Sequence, residues 1–269
     1  MDEQSYIAST EKDDIEFSRL RIVEQLCDSA TTRRLSMTGV SEGWKCLEVG
    51  AGAGSVAKWL SERVGAKGKV VATDIDIRFL SPIRLPNLEV RQHDMLKDDL
   101  ETGFFDLAHC RVVLMHLSQP ESAIRRMANS LRPGGWIVVE EMDYGVVLSA
   151  DATDPRAVAF SSTFQALFDF LRKRAILDPY FGRRVRRLIE QLGFDSVENE
   201  GWSRVVQGGD LHSRQSSMTL QMAVKPMIAA GLLTQEKHDE IQSLLADPSF
   251  SFPSGTMFCA WGRRPLYKH

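Results

Sequence analysis

One tract of this chain, residues 45–139, limits its fold more than any other, because short apolar runs alternate with amphipathic stretches along its whole length. The runs are KCLEVG, KVVATD, LEVRQHD, FDLAHCRVVL and WIVVEE, with SVAKWLSERVG and PESAIRRMANSLRPGG among the stretches between them. Strands alternating with helices at this spacing predict βαβ units, and therefore a parallel sheet with right-handed crossovers. Residues 120–131 carry Ala123, Ile124, Met127, Ala128 and Leu131 at helical spacing, one buried stripe that stops at Pro133-Gly134-Gly135.

Outside that tract the pattern loosens. Residues 15–35 read as an amphipathic helix with Phe17, Leu20, Val23, Leu26 and Cys27 on one side, placed to cover one edge of the sheet. Helices are predicted over 155–174, 179–192, 216–230 and Gln235–Ala246, and strands over 196–206 and 255–261. No internal repeat or low-complexity stretch marks a linker, so the chain is read as one domain, residues 1–269.

Composition narrows the function classes. The chain holds 33 Lys+Arg against 36 Asp+Glu, a formal net charge of 33 − 36 = −3, which argues against a general nucleic-acid binder. No stretch approaches the roughly 18 apolar residues of a membrane span. The polar, acidic opening MDEQSYIASTEKDD is unlike a signal peptide, so a cytoplasmic location without membrane attachment is expected. Cys27, Cys46, Cys110 and Cys259 lie far apart among apolar neighbours and are read as reduced, buried thiols, with no metal site expected.

The chemistry-bearing residues sit where strands give out. Leu47-Glu48-Val49-Gly50-Ala51-Gly52-Ala53-Gly54 runs a strand into a glycine-rich turn that opens a helix. Such a turn lets backbone approach a ligand and offers the amides of a helix N-terminus to an anion. Twenty residues after Gly54, Asp74 closes the next strand and is placed to accept both hydroxyl hydrogens of a ribose. Asp94 closes the third, where it could bond the exocyclic amine of an adenine with Met95 against the ring. A dinucleotide fingerprint would need Gly or Ala at position 55, where this chain has Ser55.

The order of LEVGAGAG, VVATD, QHD, FDLAHCRVVLMHL and LRPGGWIVVEE resembles the class I S-adenosylmethionine-dependent methyltransferases, in their small-molecule, UbiE-like branch. The likeness spans about residues 40–143. It implies a Rossmann-like, doubly wound α/β fold: a mostly parallel seven-stranded sheet with an antiparallel last strand, here under a helical lid. It also implies S-adenosyl-L-methionine as cofactor, with Gly50, Gly52 and Gly54 around its methionine part, Asp74 on the ribose, Asp94 and Met95 at the adenine, and Ile75 among the cofactor-binding residues. Cys110 and Arg111 would line the cofactor at the fourth strand end. Glu48 stands where many relatives have Asp, a longer carboxylate whose contact with the cofactor amine is less direct.

Methyl transfer from a sulfonium needs alignment in a site that excludes water, and a base only where the acceptor must lose a proton. His116 matches the second residue of a His-His pair found in relatives, but Met115 replaces the first, which favours alignment alone. His109, inside the fourth strand, reads as packing. Tyr144, next to Asp143 at the fifth strand end, and His212 are the other candidates for substrate contact. Two segments, 146–178 and 208–252, exceed what closing the sheet needs and read as lid or substrate elements. The first carries Phe160, Phe164, Leu167, Phe168, Phe170 and Leu171, core packing by default or the roof of an apolar pocket. The basic run at residues 183–187 reads as a solvated helix face.

The expected activity is methyl transfer to oxygen, nitrogen or carbon of a small, partly apolar molecule, by a monomer or a homodimer. The rivals are a cofactor-binding relative serving as a cyclase or regulatory module, and a dinucleotide oxidoreductase, which Ser55 and the LRPGG turn oppose.

Overall fold

The computed structural model describes residues 10–148 and 153–266. Seven strands form the main sheet: β1 (Lys45–Val49), β2 (Lys69–Asp74), β3 (Leu88–Gln92), β4 (Phe105–Arg111), β5 (Leu131–Asp143), β6 (Asp195–Trp202) and β9 (Thr256–Arg263). Their order is β3-β2-β1-β4-β5-β9-β6, with β9 antiparallel to β5 and β6 and the other pairings parallel. The order reverses between β1 and β4, the switch point at whose C-terminal strand ends open α/β sheets place their ligand crevice.

Period-two alternation builds the core on both faces. Cys46, Val70, Ala72, Leu107 and Val138 face one way and pack on Val56, Ala57, Leu60 and Val64 of α2 (Ser55–Val64). Leu47, Val71, Ala108, Ile137 and Val139 face the other way, onto α3 (Pro120–Ser130) and α5 (Val185–Gln191). Burial on both faces requires the near-continuous apolar runs that the sequence displays.

Several expectations change. The first helix, α1 (Thr10–Met37), lies across a sheet face rather than along an edge: its Arg34 Nη1 donates to Glu140 of β5 at 3.1 Å and its Thr31 to the same carboxylate. A two-sided polar stripe lets α1 reach buried carboxylates, which an apolar-face reading does not anticipate. The tract 196–206 is not one strand. It breaks after Trp202, and β7 (Val205–Gln207) pairs instead with β8 (Ser251–Pro253) in a separate two-stranded sheet. The helix expected over 179–192 begins as a 3₁₀ turn, Phe181–Arg184, before α5. Leu131-Arg132-Pro133-Gly134-Gly135 does not precede β5 but is a bulge within it, where the β4 pairing steps from Phe105↔Leu131 to Leu107↔Trp136 and Gly134 takes φ +76°.

The two insertions pack against each other. Phe160, Phe164, Leu167 and Phe168 of α4 (Pro155–Lys173) are buried with Leu220 and Met227 of α6 (Leu211–Ala229), Ile241 of α7 (Gln235–Ala246), and Phe250 and Phe252. The aromatic stripe is therefore the lid's own core. The run at residues 183–187 is not simply solvated, because Arg183 pairs with Asp143, Arg184 with Glu121 and Asp178, and Arg186 with Glu190. Among the described residues no helix is long and apolar enough to cross a membrane.

Candidate functional site

The glycine-rich turn between β1 and α2 holds all three glycines at positive φ: +66° at Gly50, +56° at Gly52 and +87° at Gly54. At Gly50 the requirement is double, since a Cβ there would also collide with the Val113 side chain. Asp74 ends the neighbouring strand and turns its carboxylate onto this loop. Its Oδ2 accepts from the Gly52 amide at 2.9 Å and its Oδ1 from the Asp76 amide at 3.0 Å. Burial raises the Asp74 pKa, and these amide bonds oppose the rise.

At the end of β3, Asp94 Oδ1 accepts from the Leu96 amide at 2.9 Å, and Lys97 Nζ lies 2.6 Å from Oδ2, holding the Asp94 pKa below the usual carboxylate range. Met95 is buried, whereas Ile75, just past Asp74, is 63% exposed. Gln92 Nε2 donates to the Ile75 carbonyl at 3.1 Å and ties the two strand ends together.

The structure turns three of the named residues elsewhere. Glu48 is 2% exposed, and its carboxylate is bonded to His109 inside the sheet face beneath α1. Cys110 is fully buried, and burial pushes its thiol well above the ordinary value. Arg111 donates to Asp28 Oδ1 and Thr31 Oγ1 of α1, each at 2.9 Å. The β4 end is thus built by buried side chains and a helix contact.

Helix α1 also supplies what the sequence reading left out. Glu24 Oε1 accepts from the Ser55 amide at 2.9 Å, at the N-terminus of α2, and Asp28 Oδ1 accepts from Ser55 Oγ at 3.0 Å. Leu20 stands over the turn, 3.3 Å from where a Cβ of Gly52 would be. Leu20, Glu24 and Asp28 recur every four residues, a spacing that puts them on one helix face and was readable in the sequence. What they cover was not.

The three catalytic candidates differ in state. His116 closes a 3₁₀ turn, Leu114–His116, and is exposed. Desolvation by its surroundings, then the Arg19 charge, lower its pKa, and the Ile176 backbone works in the opposite direction. Tyr144 stacks on Phe168 with ring centroids 4.7 Å apart, and burial raises its phenol to about 12. The Arg19 charge acts on both Tyr144 and His116. His212 opens α6 beside Trp202 at the end of β6, two strands from β5. Its Nε2 is enclosed, with no hydrogen-bond partner among the described residues.

A family model described as a methyltransferase domain matches residues 19–212. The chain belongs to that family, in its class I S-adenosylmethionine-dependent form. Among curated proteins it is similar to methyltransferase str2 of Strobilurus tenacellus, 25% identical over 66% of this chain and 63% of that one. It is also similar to the ubiquinone/menaquinone biosynthesis C-methyltransferase UbiE of Laribacter hongkongensis, 32% identical over 40% of this chain and 46% of that one. The chain thus spans less than two thirds of these relatives. Among solved structures, a methyltransferase of Bacillus halodurans superposes with TM-score 0.58 at 18% identity, covering 88% of this chain and 99% of that one. Phosphoethanolamine N-methyltransferase 2 of Haemonchus contortus, solved with S-adenosylhomocysteine, gives 0.53 at 14% identity, covering 92% and 53%. At such identities the likeness is one of fold.

Proposed function

We propose that this chain binds S-adenosyl-L-methionine and transfers its methyl group to oxygen, nitrogen or carbon of a small, partly apolar molecule. The Asp74 carboxylate against the Gly52 amide carries this reading, because it puts a hydroxyl-accepting group beside bare backbone at a topological switch point. The residues fit the group. Asp74 would take the ribose diol, Gly50, Gly52 and Gly54 would let backbone lie along the methionine part, and Ile75, Asp94 and Met95 would meet the adenine. Cys110 and Arg111 would serve by shaping the β4 end, and Glu48 by supporting the sheet behind the loop.

The cofactor supplies an electrophilic methyl on a sulfonium. The chain has to align the acceptor, exclude water and, for an acceptor that ionises, hold a proton. Among the three candidates His116 is best prepared for the last task. Its lowered pKa keeps it neutral at pH 7, where a neutral imidazole has one ring nitrogen able to accept a proton. Tyr144 on Phe168 would act as an apolar wall. His212 would offer a more distant polar contact to a large acceptor.

The experiment is a screen of phenols, amines and activated carbon acids with methyl-labelled cofactor. A labelled product with equimolar S-adenosylhomocysteine supports the reading. Tight cofactor binding with no methylated product across all three classes would favour the cyclase or regulatory alternative.

A further inference from the structure

Glu141 is a fully buried carboxylate on β5, on the face opposite α1. Among the described residues no cation lies within ion-pair reach of it. Its partners are three successive backbone amides beyond β4: Oε1 accepts from Val113 at 3.0 Å and Leu114 at 2.6 Å, and Oε2 from Met115 at 3.3 Å. The residue before them, Val112, takes φ +56°, a conformation that strains a β-branched side chain by about 1–3 kcal/mol. Its own amide donates to the Glu140 carbonyl at 2.8 Å. Two adjacent residues of β5 therefore hold the strained turn from both sides.

The turn they hold reaches both halves of the site. The Val113 side chain fills the space beside Gly50, the first glycine of the cofactor loop. The Val113 carbonyl accepts from the His116 amide at 3.0 Å, closing the 3₁₀ turn that presents the imidazole. We propose that Glu141 is a positioning residue that holds residues 112–116 against the glycine loop, acting through Val113 on the cofactor and through the 3₁₀ turn on His116. This rests on the methyltransferase reading of the crevice.

The choice of an acid is informative. A glutamine could accept from two of these amides at far smaller desolvation cost, whereas an ionised carboxylate accepts from all three and binds each more strongly. Burial, with the Glu140 charge as a smaller contribution, raises Glu141 to about 7. On protonation one oxygen becomes a donor facing N–H groups, so the turn loosens below neutral pH. The titratable groups that interact with Glu141 are its neighbour Glu140, Cys110 on β4 and Tyr144 after β5; the elements packed around β5 also carry Arg111 on β4, His116 in the turn, Arg183 and Arg184 in the following 3₁₀ turn, and Cys259 on β9. Arg111 and Arg183 are ion-paired and stay charged, and Arg184 pairs with Glu121. The two thiols and Tyr144 are pushed well above neutral, Glu140 to about 2, and His116 below its ordinary value.

The test is S-adenosylhomocysteine affinity by calorimetry from pH 5.5 to 8.5 for wild type, Glu141→Gln and Val113→Ala. Wild type should lose affinity below a midpoint near 7. Glu141→Gln should bind about tenfold more weakly at pH 8, with that midpoint gone. Val113→Ala, which leaves the Glu141 bonds in place, should bind more weakly and keep the midpoint. A Glu141→Gln protein with lowered thermal stability but the wild-type affinity and profile would make Glu141 merely structural and overturn the proposal. If Glu141→Gln does not fold, unchanged affinity in Val113→Ala overturns it alone. Absence of any binding by wild type would instead remove the methyltransferase reading and the proposal with it.

Discussion

Nδ1 of His109 lies 2.6 Å from Oε2 of Glu48, one strand away in register, and neither side chain reaches solvent. The same imidazole faces Glu140, which also accepts from Thr31 and Arg34 of α1, and Arg34 continues to Glu200 on β6. A file of charges, buried except for the partly exposed Glu200 at its end, thus runs under α1 from β1 to the far edge of the sheet. Burial opposes ionisation of His109, but the two carboxylates outweigh it and raise the imidazole to about 9. Burial likewise works against the Glu140 charge, yet His109 and the other partners hold that carboxyl at about 2.

The sign of the pH dependence follows. The raised His109 stabilises the fold fully below its unfolded pKa near 6.5 and loses that contribution as pH rises through 9; the lowered Glu140 stabilises it above about 4.5 and loses that as pH falls through 2. In urea unfolding the contribution of this pair, superimposed on the fall in stability that the raised Glu141 imposes between about pH 4.5 and 7, should therefore be largest between about pH 4.5 and 6.5. His109→Leu leaves the buried Glu48 without a cation and Glu140 with Arg34 alone, and should cost about 3–5 kcal/mol at pH 6. The gap to wild type should narrow at pH 9. A gap independent of pH would mean that the pair is not ionised.

His116→Asn should lower turnover by about a hundredfold on an acceptor that ionises, and leave S-adenosylhomocysteine affinity unchanged. The wild-type rate should rise through an inflection below the ordinary imidazole value, since packing and Arg19 lower that pKa. A mutant with most of its activity and an unaltered profile would return the chemistry to alignment alone.

Phe160→Ala should destabilise the lid by about 3–5 kcal/mol. The ring is fully buried, with centroids 4.4 Å from Phe164 and 4.5 Å from Phe252. Because this cluster has its own buried members and meets the core of the sheet at the partly buried Tyr144 and Leu177, cofactor affinity in the folded protein should stay within a fewfold of wild type at low temperature. A large affinity loss would mean that lid and cofactor loop are one cooperative unit.

The sheet, and the placing of the glycine turn and Asp74 at successive strand ends, were legible because both rest on local rules, period-two burial and functional groups at parallel strand ends. Where a buried polar side chain turns is decided by its neighbours. Glu48 points under α1 because His109 stands beside it in register, and no spacing within β1 encodes that. Helix α1 was legible as a helix, but its position depends on Glu24 meeting the Ser55 amide, a contact 31 residues apart. Gly208-Gly209-Asp210 reads as a turn, yet Asp210 Oδ1 accepts from the Ser213 amide at 2.8 Å and starts α6 at Leu211, five residues before the expected 216. Trp202 and Val205 have similar strand propensity, so nothing local told that they belong to different sheets.

The most direct test of the cofactor site is calorimetric titration of wild type and Asp74→Ala with S-adenosylhomocysteine and, separately, NADH. Wild type should bind S-adenosylhomocysteine and not NADH. Asp74→Ala should remain folded and lose about 2–3 kcal/mol of that affinity, because the carboxylate would accept both ribose hydroxyls. Binding of NADH alone, or undiminished S-adenosylhomocysteine affinity in folded Asp74→Ala, would contradict this account of the site.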